Sequence, residues 1–215
     1  NMKNKIVSLL LALGLSSAAL ANSAKIGYVS DFFYRGEQKA LESVQASLDL
    51  DKNVAGLNAS FHACTNQSVD QGVDSYGLAA GISHTFVDGI LNVYGGFNHF
   101  EDVAGDALSE IALKAGLNTI ASPALSVYRN VDDELYTFEG SVSHSIALSI
   151  VDLGLSASIG NTDITESTDR DYYSLGADLS REVGEGAVLS ASVDLVDADD
   201  IEREFVFGTA LTFNF

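Results

Sequence analysis

REFVFGTALTFNF, residues Arg203 to Phe215, closes the chain and decides its fold. Phe205, Phe207, Thr209, Leu211, Phe213 and Phe215 take every second position, and Glu204, Val206, Gly208, Ala210, Thr212 and Asn214 take the rest. A period of two is the signature of a strand with one apolar face and one small or polar face. In water such a strand at a chain end would be an aggregation edge. In a membrane barrel it is ordinary: the apolar face meets lipid, the other face meets the lumen, and the terminal aromatic lies at the interfacial girdle.

At the other end, residues 1–21 read as a secretory leader, with Asn1 ahead of the apparent start. Lys3 and Lys5 precede an apolar run from Ile6 to Leu15, and Ala19-Leu20-Ala21 offers a small-residue cleavage site. The run is too short to span a bilayer as a helix, and no later segment supplies one. The second expected segment, 22–215, is therefore a barrel domain in the outer membrane of a Gram-negative bacterium. Loss of Lys3 and Lys5 takes the formal charge from −19 to −21. So acidic a chain repels phosphate backbones, which excludes nucleic acid, and attracts cations. A hydrophobic fraction of 47% is too high for an acidic disordered chain, so the apolar residues must be covered, and lipid can cover them.

Between the leader and the last strand, alternating stretches recur, each bounded by turn residues. The pattern predicts strands over 25–35, 41–51, 54–66, 75–86, 90–99, 107–118, 123–130, 135–146, 150–160, 171–181, 187–195 and 203–215. The expected fold is thus all-β: a transmembrane, antiparallel, up-and-down barrel of about 12 strands. Val87-Asp88-Gly89 carries the Asp-Gly hairpin signal, and Pro123 stands where a strand tolerates proline, at its start. Turns near Lys52, Asp88, Thr119, Leu148 and Gly184 are mostly short, whereas the connections 36–40, 65–74, 100–106, 131–134, 161–170 and 196–202 are mostly longer. Short periplasmic turns and longer outer loops are the outer-membrane arrangement.

Inward positions are often Gly, Ala or Ser, so a barrel of this size keeps lumen space. The charged residues expected to line it are Asp31, Arg35, Asp49, Glu110, Lys114, Glu139, Asp152, Asp178 and Asp194. Their acidic excess predicts cation preference. The outer loops carry further carboxylates, among them Asp102, Asp106, Asp132, Asp133, Asp163, Glu166, Asp197 and Asp200, but none follows a calcium-loop spacing. His62, His84, His99 and His144 lack metal-ligand spacing, so no metal and no cofactor is expected. The adjacent pairs Ser83-His84 and His144-Ser145 put their side chains on opposite faces, which argues against an enzyme. Cys64, the single cysteine, reads as a lone structural thiol facing away from lipid.

Ser30-Asp31-Phe32-Phe33-Tyr34-Arg35-Gly36 resembles a Ser-Asp-Tyr-x-x-Arg-Gly stretch near the mature start of the TorF-type porin family, also called Gcw_chp. Tyr128 to Tyr136 (YRNVDDELY), Ala157-Ser158-Ile159-Gly160 and Asp171-Tyr172-Tyr173 are similar to further family stretches. Phe32 replaces the family's Tyr, and Gly36-Glu37-Gln38 replaces Gly-Ile-Ser after the Arg. The resemblance implies a porin with Arg35 at the mouth or in the lumen. The ending likewise resembles the C-terminal signal read by the barrel assembly machinery, with Phe213 and Phe215 as its aromatic positions. The expectation is a passive outer-membrane channel for small cationic or neutral solutes, whose partners are outer-membrane lipid, lipopolysaccharide, the assembly machinery and, in a homo-oligomer, its own copies. The alternative is a non-conducting structural or adhesive barrel whose acidic surface loops bind ions.

Overall fold

The computed structural model describes residues 22–69, 74–165, 167–199 and 201–215. The leader predicted over 1–21, together with Glu166 and Asp200, lies outside the described residues. Alternation becomes strand throughout: β1 (Ser23–Val29), β2 (Phe32–Tyr34), β3 (Glu37–Ala40), β4 (Ser43–Val54), β5 (Leu57–Ser68), β6 (Ser75–Phe86) and β7 (Leu91–Asp102) make up the first half. The second half holds β8 (Ala107–Leu117), β9 (Ala124–Asn130), β10 (Tyr136–Ala147), β11 (Asp152–Thr165), β12 (Thr168–Gly184), β13 (Ala187–Ala198) and β14 (Ile201–Asn214). No helix among the described residues is long and apolar enough to cross a membrane.

Twelve of these strands close into an antiparallel barrel, each beside its chain neighbour, and β1 completes the ring by pairing with β14 on one side and β4 on the other. The closing seam sets Ile26 against Leu211 and Ala24 against Phe213. Closure leaves no free sheet edge along the paired lengths. Because paired residues share a face, alternation sorts the whole wall. Ile111, Leu113, Leu125, Phe138, Ile159, Leu175, Phe205 and Phe207 are exposed on the outside, an apolar belt of the kind that faces lipid in outer-membrane barrels. Phe213 and Phe215 stand exposed on the same outer face.

Three expectations need correction. The first predicted strand, 25–35, is not one strand: the wall strand stops at Val29, and Phe32 and Tyr34 belong to a separate hairpin, β2–β3, paired only with itself. The turn expected near Lys52 lies three residues on, at Ala55-Gly56, where both residues have positive φ (56° and 85°). Lys52 stays in the ladder opposite Ala59, because polar side chains at a rim need no turn to reach water. The outer loops are shorter than expected as well. β11 runs to Thr165, β12 starts at Thr168, β13 ends at Ala198 and β14 starts at Ile201, so Asp163, Asp169 and Asp197 are strand residues.

Candidate functional site

The β2–β3 hairpin connects two neighbouring wall strands, yet its tip reaches the far side of the barrel. Tyr34-Arg35-Gly36-Glu37 makes the turn, with positive φ at Arg35 (52°) and Gly36 (76°). A two-residue turn of this hand suits the twist of a hairpin and asks for Gly at its second position. Gly36 is also required by space: a Cβ there would stand 2.7 Å from the Cβ of Tyr172 and 2.9 Å from that of Ala198. The tip therefore rests against β12 and β13.

Arg35 is the anchor. Its two terminal nitrogens donate to both carboxylate oxygens of Glu110, Nη2 to Oε2 at 2.6 Å, and Nη1 also reaches Thr137 Oγ1 at 3.3 Å. The guanidinium lies over the Tyr128 ring, 4.0 Å from its centroid, and Lys114 approaches the same ring at 5.5 Å. The two side chains of the ion pair are 11% and 3% exposed, so the pair is taken out of water almost completely. A forked, buried Arg–carboxylate pair fixes geometry as well as charge. Burial pulls the Arg35 cation down, but hydrogen bonding to Glu110 and the charge interactions with Tyr34, Glu110 and Tyr128 together outweigh it and hold the group above its ordinary value. Burial pushes the Tyr34 hydroxyl upward; Arg35 opposes the shift and Glu110, its acceptor at 3.3 Å, adds to it. Tyr34 stacks on Phe100 with ring centroids 5.4 Å apart, and Phe32 lies 6.4 Å from the same ring.

The latched hairpin divides the interior. On its outer side is a vestibule of about 430 Å3 that includes Tyr34, Arg35, Glu37, Glu110, Asp163 and Arg170 in its wall. On its inner side are two chambers of about 230 and 320 Å3, both lined by Lys25 and Gln45. The first is roofed by Phe32 and Phe100 and the second carries Asp178 and Asp194. The Asp178 carboxylate lies against Gly154 and that of Asp194 against Gly176, where a Cβ would collide with it. Two glycines thus let both acids lie flat along the wall.

The other charged residues expected in the lumen fall on the same inner face. Asp49 accepts from Ser23 Oγ at 3.0 Å and pairs with His62 at 2.6 Å. Glu139 accepts from the Tyr172 hydroxyl at 2.9 Å, and Asp152 sits exposed at the inner end of β11, opposite Ser180. Asp31 differs: it is not on the wall but at the base of the hairpin, where it accepts from Gln38 Nε2 at 2.9 Å. Cys64 does face away from lipid, beside the first chamber rather than in a packed core. Tyr128 and Tyr172, which position Arg35 and Gly36, were not singled out from the sequence as site residues. The signal for the hairpin itself was present, since Arg35-Gly36 follows an alternating aromatic run as Asp88-Gly89 does.

Solved structures resemble this barrel along nearly its whole length. The KdgM porin superposes with a TM-score of 0.61 at 14% identity, covering 90% of this chain and 99% of the other. The NanC porin gives 0.59 at 11%, over 90% and 99%. An outer-membrane channel from Pseudomonas putida F1 gives 0.61 at 10%, over 91% and 96%. The fold is that of the outer-membrane barrels. No family model and no curated protein matches the chain, so the likeness rests on shape and the resemblance to TorF-type porins gains no support from either comparison.

Proposed function

We propose that this chain is a porin-like passive channel of a Gram-negative outer membrane, of the TorF type, that passes small cationic or neutral solutes without catalysis. The observation that carries this reading is the divided lumen: a closed barrel with cavities on both sides of one inward hairpin, and with Asp178 and Asp194 on the inner side. Carboxylates in a narrow water-filled passage raise the local concentration of cations and repel anions. The porins and the channel it resembles in shape lend support. In this reading the outer belt contacts outer-membrane lipid and lipopolysaccharide, and Phe213 and Phe215 serve barrel assembly.

The latch favours a second reading, in which the hairpin seals the lumen and the barrel serves as a surface structure that does not conduct. Single-channel recording of the refolded chain under a salt gradient separates the two. Discrete current steps with a reversal potential on the cation side are expected. Silence from a barrel that shows the heat-shifted gel mobility of the folded state would overturn the channel.

A further inference from the structure

The wall of the first inner chamber carries a nucleophile together with the groups that activate one. Cys64 and His62 stand two apart on β5 and so share its inner face, and both border the chamber. The ladder sets Asp49 of β4 directly opposite His62. Asp49 Oδ1 meets the imidazole Nδ1 at 2.6 Å, and Ser23 Oγ steadies the other carboxylate oxygen at 3.0 Å. The imidazole in turn interacts with the Cys64 thiol. Carboxylate, imidazole and thiol thus follow one another in the order that activates a nucleophilic cysteine: the acid orients the ring and the ring takes the thiol proton. The adjacent pairs Ser83-His84 and His144-Ser145 lack this arrangement because immediate neighbours on a strand point to opposite faces, whereas a spacing of two keeps both side chains together.

The group is also reachable. In its row Cys64 is flanked by Ser47 on β4 and Gly77 on β6, both small. Gly77 leaves the room that the sulfur uses, since a Cβ there would stand 2.8 Å from Sγ. The side chains of His62 and Asp49 are 42% and 39% exposed, and Cys64 itself is only half-buried, whereas an inert structural thiol is packed away from water. We propose that Cys64 is a modification site for small uncharged or cationic disulfides that enter the lumen, with His62 as its base and Asp49 as the residue that positions the base. His62 accepts the Sγ proton, Sγ bonds to one sulfur of the disulfide, the S–S bond breaks, and the departing thiolate takes the proton. Cys64 is thereby oxidised to a mixed disulfide and the departing half is reduced, once per chain and without turnover. Disulfides persist in the oxidising compartments on either side of an outer membrane, so the reagent class is at hand there. The adduct occupies a chamber of about 230 Å3 and ties the free space of the lumen to the redox state of small thiols around it.

The test follows the release of thiopyridone from the uncharged disulfide dithiodipyridine by the full chain, refolded in detergent micelles and checked by heat-shifted mobility. The parent is expected to release one equivalent, from its single cysteine. His62→Ala and His62→Gln should each slow the reaction by at least about tenfold. Imidazole added to the buffer should restore much of the rate to His62→Ala, which a merely structural histidine would not allow. Asp49→Asn should slow the reaction less, and Asp49→Glu should recover the rate. His144→Gln, away from the chamber, should react as the parent does. No release from the folded barrel, an unchanged rate in both His62 variants, or a loss that imidazole does not restore would overturn the site. Thiopyridone release is read without any current, so a barrel that reacts but does not conduct refutes the channel alone, and one that conducts without reacting refutes this site alone.

Discussion

Arg35 combines two features that are each costly alone: a left-handed backbone at a residue other than glycine and a charge removed from water. Glu110 offsets the second through a forked contact that lysine cannot reproduce. Glu110→Gln should leave the cation uncompensated, which in buried pairs costs about 3–5 kcal/mol, and release the hairpin while the wall stays folded. The expected outcome is a higher single-channel conductance with unchanged heat-shifted mobility; equal conductance would show that the pair does not hold the hairpin in. The double change Arg35→Met with Glu110→Met should restore much of the closure, because it removes both charges together. Both residues could be placed on the lumen side from alternation. Their pairing could not, because they lie 75 positions apart and no periodicity links a turn residue to a wall residue.

The hairpin is where local pattern and tertiary contact part. Phe32 and Tyr34 continue the alternation of Ile26 and Tyr28, so sequence alone extends the first strand through them. What turns them inward is the Arg35-Gly36 reversal and the stacking of Tyr34 on Phe100, a partner far along the chain. Gly36→Val should prevent the tip from seating against Tyr172 and Ala198 and should strain a backbone at φ 76°. Limited proteolysis of the refolded barrel should then cut within 30–42 faster than in the parent; equal rates would refute the contact. Elements without such an inward partner were legible closely, β6 falling on its expected span of 75–86. Where strands outran their predicted ends, as in β11 and β12, cross-strand pairing continued through polar residues that read as loop.

Taken whole, the barrel turns the usual arrangement of a protein outside in. Most of its large apolar side chains face outward, and Glu110, the most buried charged side chain among the described residues, faces the lumen. An arginine placed in the belt should therefore be as damaging as one in a soluble core. Leu113→Arg is expected to cost about 2–4 kcal/mol if it falls near the bilayer midplane, measured by denaturant titration in lipid vesicles. An unchanged midpoint would mean that Leu113 does not contact hydrocarbon. The lumen answers to charge instead: Asp178→Asn with Asp194→Asn should move the reversal potential toward zero without altering stability by a comparable amount.

The contacts of Arg35 also imply an order of events in time. Its partners Glu110 and Thr137 lie 75 and 102 positions further along the chain, and Gly36 meets β12 and β13 later still. Contacts between such distant segments cannot form until the intervening chain is in place. The strands nearest the start of the barrel thus carry the last piece to settle, and a newly closed barrel is expected to pass through a wide-bore stage before it narrows.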